Sequence, residues 1–182
     1  MKWMIASDIH GSAFWCREML RAFETEQADR LLLLGDLLYH GPRNDLPQEY
    51  DPKAAAAMLN EMKTKILCVR GNCEAEVDQM MFSFPVLAEY AVLTFENRVI
   101  FATHGHHFHK DALPPLQPGD ILLHGHTHIP DCCESDGIYV LNPGSVSIPK
   151  NGSPNSYMTL QNGTFVWKSL PDLTPYRTFD FV

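Results

Sequence analysis

Five short motifs containing aspartate, asparagine and histidine each follow directly after an apolar run of chain. The motifs are Asp8-Ile9-His10, Gly35-Asp36, Gly71-Asn72, His104-Gly105 and Gly125-His126-Thr127-His128. If the apolar runs are buried strands of one sandwich, five separate pieces of chain deliver these side chains to the same rim. Carboxylate, amide and imidazole groups together suit divalent transition metals such as Mn, Fe, Co, Ni or Zn. The sequence therefore predicts a metal site assembled from distant segments.

The spacing within the motifs supports this prediction. Asp8 and His10 are two residues apart, as are His126 and His128. In an extended segment such residues point the same way, so each pair can offer both side chains to one centre. Asp36 follows the most apolar run, where an unpaired charge would be costly to bury. A metal ion would offset that cost, and a carboxylate has two oxygens with which to bridge two ions.

The bulk properties are those of one globular domain, expected to span residues 1–182. The apolar fraction is 45% and the charged fraction 20%, which is ordinary for such a domain. With 14 basic and 22 acidic side chains, the net charge of −8 argues against stable binding to nucleic acids, which needs basic patches.

The cysteines argue against a disulfide framework and against a thiolate metal site. They number five and contain no C-x-x-C pair. The N-terminus lacks the pattern of a signal peptide, and no apolar stretch approaches the roughly 20 residues of a membrane span. We therefore expect a cytoplasmic protein without a membrane partner.

The first half of the chain reads as a β-α-β-α-β series. Its predicted elements are a strand at 2–7, a helix from 12 to about 27, a strand at 31–34, a helix from 51 to about 63 and a strand at 66–69. Ser12 and Asp51 are suitable N-caps, and Pro52 suits the first helical position. Such a series implies parallel strands with right-handed crossovers.

The second half reads as strands with little helix between them. The predicted strands cover 90–95, 98–103, 120–124, 137–141, 156–161 and 164–168. Asn97 and Asn162-Gly163 indicate hairpin turns, the latter of type I′. Together the halves predict a mixed α/β fold, a four-layer α-β-β-α sandwich of two mixed sheets flanked by helices.

Three further segments carry weaker signals. The loops at 37–51 and 104–119 are long, rich in His, Pro and Gly, and leave from the predicted metal rim, so they are expected to wall a pocket. The apolar segment 80–87 lacks a clean period and is either a plug in the core or a subunit contact in a homo-oligomer. The tail at 171–182 supports no prediction.

The order and spacing of the motifs resemble the calcineurin-like metallophosphoesterase family. Its pattern D-x-H … G-D … G-N-[H/D] … H … G-H-x-H is met by residues 8–10, 35–36, 71–72, 104 and 125–128, with Cys73 at the remaining position. The resemblance covers residues 2 to about 149. The short length, together with the segments 40–44 and 142–146, resembles the small YfcE-like phosphodiesterase branch.

The resemblance implies two divalent ions, Mn²⁺ first among them, and a phosphodiesterase that uses a metal-bound hydroxide. The ligands it implies for one ion are Asp8, His10, Asp36 and His128. The ligands it implies for the second ion are Asp36, Asn72, His104 and His126, so that Asp36 bridges. Ion pairs of this kind lie about 3.5–4 Å apart and clamp the attacking and leaving oxygens.

Catalytic roles are predicted for Asp36, Asn72, His104 and Cys73. Cys73 departs from much of the family, which has a histidine there that acts on the leaving group. A thiol with an ordinary pKa near 8.5 is a poorer proton donor in this setting. The departure favours diesters over monoesters as substrates.

Several alternatives stay open. Arg43 either meets a phosphate oxygen or is a solvated loop residue, and His106 either contacts substrate or replaces His104 as a ligand. Asn72 could be a plain turn residue. The leading function is hydrolysis of a small phosphodiester. The alternatives are a phosphomonoesterase or nucleotide phosphatase, and a scaffold like the retromer subunit that shares this fold.

Overall fold

The computed structural model describes residues 1–181, which form two mixed β-sheets and two α-helices. The first sheet has the strand order β11-β10-β9-β1-β2-β3 and the second has the order β4-β5-β6-β8-β7. The strands are β1 (Trp3–Ala6), β2 (Arg30–Leu33), β3 (Ile66–Cys68), β4 (Tyr90–Phe95), β5 (Arg98–Thr103), β6 (Ile121–Leu123), β7 (Asp131–Ser135), β8 (Ile138–Asn142), β9 (Ser156–Gln161), β10 (Thr164–Ser169) and β11 (Pro175–Asp180). The helices are α1 (Ala13–Thr25) and α2 (Pro52–Glu61), and a short 3-10 helix covers Asp78–Met81.

Both helices begin at the predicted caps. The Ser12 hydroxyl accepts a hydrogen bond from the backbone N–H of Trp15 at 3.1 Å, and the Asp51 carboxylate accepts one from Ala54 at 3.0 Å. Each bond satisfies one of the N–H groups that a helix start leaves free. Each helix ends two residues before its predicted end, which is ordinary fraying at a terminus.

The two sheets pack face to face, and the helices cover one outer face. Alternate residues of β1 and β2 point in opposite directions. Ile5 and Leu32 therefore join the core between the sheets, whereas Met4 and Leu31 join the core beneath the helices. The predicted mixed α/β class with two mixed sheets is confirmed.

The outermost layer beside the second sheet is irregular rather than helical in the described residues. A small third core joins Leu122, Ile138 and Val140 of that sheet to Phe108, Leu113 and Leu116 of the 104–119 loop. The loop thus takes the place of the second outer helical layer that was expected.

Two strands, β7 and β11, were not predicted from the sequence, and both lie at sheet edges. β7 has the sequence Asp-Cys-Cys-Glu-Ser, which does not alternate between apolar and polar residues, and it pairs with β8 alone. β11 pairs with β10 alone and is exposed along most of its length. The predicted type I′ turn is confirmed by the φ values of Asn162 (51°) and Gly163 (79°).

Part of the apolar segment at 80–87 packs into the core, as one of its two interpretations expects, and its role as a subunit contact stays a prediction. Phe82, Phe84 and Val86 are buried at alternate positions, as in a strand. No strand of the described chain pairs with this segment, and the Gln79 side chain binds it instead. The Gln79 amide donates to the carbonyls of Phe82 and Phe84 and accepts from the N–H of Val86. Next to the plug, Met80 is 84% exposed.

The helices of the described residues include none that is both long and apolar enough to cross a membrane.

Candidate metal centre

The predicted ligands lie at the ends of five strands that meet at one rim of the sandwich. Those from the first sheet follow β1, β2 and β3, and those from the second follow β5 and β6. These strands run parallel within each sheet, so their carboxyl ends share an edge. The structure brings all seven side chains together there: Asp8, His10, Asp36, Asn72, His104, His126 and His128.

Five of these seven residues adopt a left-handed backbone conformation. Their φ values are 61° at Asp8, 49° at His10, 55° at Asp36, 64° at His126 and 62° at His128. The expectation that each i, i+2 pair lies on an extended segment is therefore wrong, because the pairs converge through tight turns. Non-glycine residues with positive φ are uncommon, and strain of this kind concentrates at functional sites.

Three side chains form the first half of the centre. Nε2 of His128 lies 3.3 Å from Oδ1 of Asp8 and 3.2 Å from Nε2 of His10. Nε2 of His10 lies 3.6 Å from the same Asp8 oxygen. Three donor atoms thus surround one point, and all three side chains are buried.

The second half of the centre is arranged around His104. Its Nε2 lies 3.0 Å from Oδ1 of Asn72 and 3.2 Å from Nδ1 of His126. The His104 and Asp36 side chains are buried, whereas Asn72 is exposed and forms the outer wall.

The Asp36 carboxylate lies between the two halves. Oδ2 is 3.7 Å from Nε2 of His10, and Oδ1 is 3.5 Å from Nε2 of His104. One oxygen therefore faces each donor set, which is the arrangement that a bridging ligand requires.

The histidine rings are fixed by hydrogen bonds on their far sides. Nδ1 of His10 donates to the carbonyl of Tyr39 at 2.6 Å, and Nδ1 of His104 donates to that of Leu34 at 2.7 Å. Nδ1 of His128 donates likewise to a backbone carbonyl, that of Ile148, at 2.6 Å. Such bonds hold the tautomer in which the Nε2 lone pair points inward, as in metal-binding histidines.

The electrostatics of the cluster show how strongly these groups depend on one another. Burial alone would raise the pKa of Asp8, but His10 and His128 beside it hold that pKa well below its ordinary value. Burial would lower the pKa of His104, but Asp36 and Asp8 raise it to about 9. Burial and the neighbouring His104 lower the pKa of His126 to about 4.

Two observations show that this donor set fits metal ions. The Nε2 atoms of His10 and His128 lie 3.2 Å apart, and two lone pairs at that distance need a cation or a proton between them. Oδ1 of Asp8 is fully buried and accepts no hydrogen bond, although both rings are its ionic neighbours. A buried carboxylate oxygen that accepts no hydrogen bond is costly unless a positive charge lies beside it, and a metal ion would supply that charge.

Glu74 supports the centre and was missed in the sequence. Its buried carboxylate accepts three backbone N–H groups, from Asp36 at 2.8 Å, Leu37 at 2.7 Å and Gly71 at 2.5 Å. Burial and the nearby Asp36 charge raise its pKa. The only sequence signal was an acidic residue two positions after Asn72. Glu74 joins the turns that follow β2 and β3 and so sets the position of Asp36.

Cys73 lies in the wall of the centre and supports Asp36 through its backbone. Its N–H donates to Oδ1 of Asp36 at 2.9 Å. Burial and the Asp36 charge raise the pKa of the thiol well above its ordinary value. The side chain is therefore a neutral thiol at physiological pH.

A cavity of about 320 Å³ opens over the centre and is walled by the 37–51 loop, as predicted. Arg43 and Asn44 line it from that loop, and Lys150 lines it from the segment after β8. Lys150 gave no signal in the sequence. His106 does not line this cavity but an adjacent one of about 390 Å³, formed with the 104–119 loop on the other side of His126.

Comparison with protein families gives a match over most of the chain. The model of the calcineurin-like phosphoesterase superfamily domain matches residues 1–164. The phosphodiesterase YfcE of Escherichia coli strain K12 is 48% identical over 162 residues, which cover 89% of this chain and 88% of that protein.

Solved structures share the fold. That of Yfce, a phosphoesterase from E. coli, superposes with a TM-score of 0.96 at 43% identity over 100% of both chains. Wild-type Vps29 from Entamoeba histolytica complexed with Zn²⁺ superposes with a TM-score of 0.62 at 21% identity, also over 100% of both chains. The second likeness extends to the fold alone.

Proposed function

The chain belongs to the calcineurin-like phosphoesterase superfamily, and from this we propose that it is a metal-dependent phosphodiesterase with a dinuclear centre. The observation that carries the proposal is the position of Asp36 between two complete donor sets. One ion would be held by Asp8, His10, Asp36 and His128. The other would be held by Asp36, Asn72, His104 and His126.

The nature of the donors supports first-row divalent ions. Imidazole, carboxylate and amide groups suit Mn, Fe, Co, Ni or Zn, and we propose Mn²⁺ first because of the family. When bound, two such ions lower the pKa of a water molecule so that hydroxide is available as the nucleophile, and they stabilise charge on the leaving oxygen.

The residues of the chain prepare this chemistry by orientation and charge. The carbonyls of Tyr39, Leu34 and Ile148 hold three rings with Nε2 inward, so little reorganisation is needed on binding. Two divalent ions and the two aspartates leave a net positive charge, which attracts a phosphodiester monoanion.

The cavity supports a small substrate. At about 320 Å³, lined by Arg43 and Lys150, it can hold one anionic phosphate with a modest substituent. The neutral Cys73 thiol beside Asp36 is a poor proton donor to a strongly basic leaving group. Diesters with good leaving groups are therefore the favoured class. The five free thiols support a reducing compartment, and we propose the cytoplasm.

The test is reconstitution with Mn²⁺ followed by metal analysis and assays on an aryl phosphodiester and the matching monoester. We expect close to two ions per chain, faster turnover of the diester, and loss of both activities in chelator. Undiminished turnover with the metal confirmed absent would refute metal dependence. A monoester rate above the diester rate would instead support a phosphomonoesterase.

The bridging role of Asp36 is tested by comparing the Asp36→Asn and His128→Ala variants. Asp36→Asn should lower the diesterase activity by more than the 10–100-fold that is typical when a residue supporting a metal ligand is replaced. The reason is that both donor sets share Asp36. His128→Ala affects one set and should be partly rescued by added Mn²⁺. Circular dichroism controls for folding. Equal and fully rescuable losses in the two variants would contradict the bridge.

A further inference from the structure

A third group of donor side chains lies beside the centre and is used by none of the chemistry above. It consists of Glu89, His106 and His107, which each offer one ligand atom within 4.8 Å of the others. The rings of His106 and His107 lie with centroids 3.9 Å apart. Glu89 and His107 are exposed, so the group is open to solvent.

The hairpin of β4 and β5 brings these residues together. Glu89 precedes β4 and the two histidines follow β5, and the adjoining residues Tyr90 and Thr103 are paired across the hairpin. The Thr103 hydroxyl donates to the Glu89 carbonyl at 3.3 Å and fixes this end. The group is therefore placed by the sheet, although its members are 17 and 18 positions apart in the chain.

Glu89 and His106 each keep an atom that is free to coordinate a metal ion. Oε1 of Glu89 accepts from Arg70 Nη1 at 3.3 Å, which leaves Oε2 free of an ion pair within the described residues. Nδ1 of His106 is shielded from solvent and has no hydrogen-bond partner in the described chain. Two imidazoles and one carboxylate form a set typical of zinc sites that keep open coordination positions.

We propose that Glu89, His106 and His107 bind a third divalent transition-metal ion of the zinc, cobalt or nickel class. Because two of the ligands are exposed, water completes the coordination and the ion exchanges readily. The His106 ring also lines the adjacent cavity and lies 6.2 Å, centroid to centroid, from that of His126. An ion here would fix the His106 ring and add positive charge at the edge of that cavity. The site does not depend on the phosphodiesterase activity, but the ion counts expected below rest on the dinuclear centre proposed above.

The test counts bound Zn²⁺ by elemental analysis after equilibrium dialysis of the full chain. We expect three ions per chain in the wild type and two in both His107→Ala and Glu89→Gln. His109→Ala is the matched control: His109 lies in the same loop and its Nδ1 lies 3.9 Å from Asp111 Oδ2, outside the proposed donor group, so three ions should remain. Persistence of the third ion in His107→Ala and Glu89→Gln, or its loss in His109→Ala, would overturn the assignment.

A second arm separates this site from the catalytic centre. Asp36→Asn combined with His128→Ala should lose ions from the centre and keep the one that His107→Ala removes. A wild type with only two ions, unchanged by His107→Ala, would reject the third site and leave the dinuclear proposal standing. Thermal unfolding of each variant checks that the fold is intact. With Mn²⁺ in the centre, His107→Ala should keep the wild-type diester rate.

Discussion

At the scale of single residues, the centre relies on backbone groups as much as on side chains. Carbonyl groups fix three histidine rings, and the Cys73 N–H fixes one oxygen of Asp36. Substitutions of the side chain at Cys73 therefore leave its main contribution to the centre intact, whereas substitutions at Glu74 remove a support that no other residue duplicates in the described chain.

Cys73→Ser is expected to keep the diester rate within about tenfold, because the neutral thiol is assigned no covalent role. Cys73→His should raise the monoester rate relative to the diester rate, since an imidazolium there could act as a general acid worth typically 10²–10⁴-fold. Steady-state assays on matched aryl diester and monoester substrates measure both. Abolished diesterase activity in Cys73→Ser with both metals still bound would show that the thiol itself takes part.

Glu74→Gln should weaken metal binding by about 10–100-fold and lower the free energy of unfolding by about 1–3 kcal/mol. The carboxylate accepts three N–H groups, and an amide replaces one of its oxygens by a donor that repels them. Metal titration and chemical denaturation measure the two effects. Glu76→Gln, an exposed residue of the same turn, is the control. Metal affinity in Glu74→Gln equal to that of the control would contradict the positioning role.

At the scale of elements, one partly buried carboxylate, that of Glu26, ties α1 to the first sheet. Glu26 is the C-cap of α1, and it binds Lys2 before β1, Lys168 in β10 and the hydroxyl of Tyr157 in β9. Burial alone would raise the pKa of Glu26, but these partners outweigh it and lower that pKa.

Glu26→Gln is expected to lower the free energy of unfolding by about 1–3 kcal/mol at pH 7. Because the pKa is lower in the folded chain than in the unfolded one, the wild-type advantage is complete above about pH 4.3. This stability advantage is lost as the pH falls through the lower pKa that Glu26 has in the folded chain. Urea denaturation from pH 7 to pH 3 measures the difference in the free energy of unfolding between the wild type and Glu26→Gln. Glu24→Gln, at an exposed position, is the control. A difference that stayed constant to pH 3 would contradict the ionic origin.

The sequence predicted most elements because their signals were local. The caps at Ser12 and Asp51 and the Asn162-Gly163 turn are each defined by neighbouring residues. β11 lacks such a signal because an exposed edge strand needs no alternation, and its pairing with β10 is decided by the tertiary structure. The seven candidate ligands were predicted by residue type after apolar runs, and the structure brings their side chains together. Glu74 and Lys150 are single residues outside any motif, and only folding brings them to the site.

At the scale of the whole molecule, the strain at the candidate ligands predicts that metal binding and folding are coupled. Five of the seven candidate ligands have a left-handed backbone conformation, and the buried Oδ1 of Asp8 lacks a hydrogen-bond partner within the described residues. Ions that bind the folded chain alone stabilise it by mass action, by about 2.7 kcal/mol for each site at a hundredfold excess over Kd.

Removal of both ions is therefore expected to lower Tm by about 10–20 °C for a chain of this length. Calorimetry with Mn²⁺ and then with chelator measures the shift. Asp36→Asn should show a much smaller one, because its centre binds ions poorly. A wild-type Tm that did not respond to chelator would contradict the coupling.

The covering of the second sheet by a loop has a consequence for how this chain can evolve. Phe108, Leu113 and Leu116 pack against that sheet, while His106 and His107 of the same loop lie beside the candidate metal centre. Insertions or deletions in the 104–119 loop would disrupt the third hydrophobic core and also change the surroundings of the candidate metal centre. Few of them would therefore survive selection. The 37–51 loop is exposed over most of 42–49 and can vary in length at little cost. New substrate preferences should therefore arise in lineages through the 37–51 loop, with the 104–119 loop keeping its length.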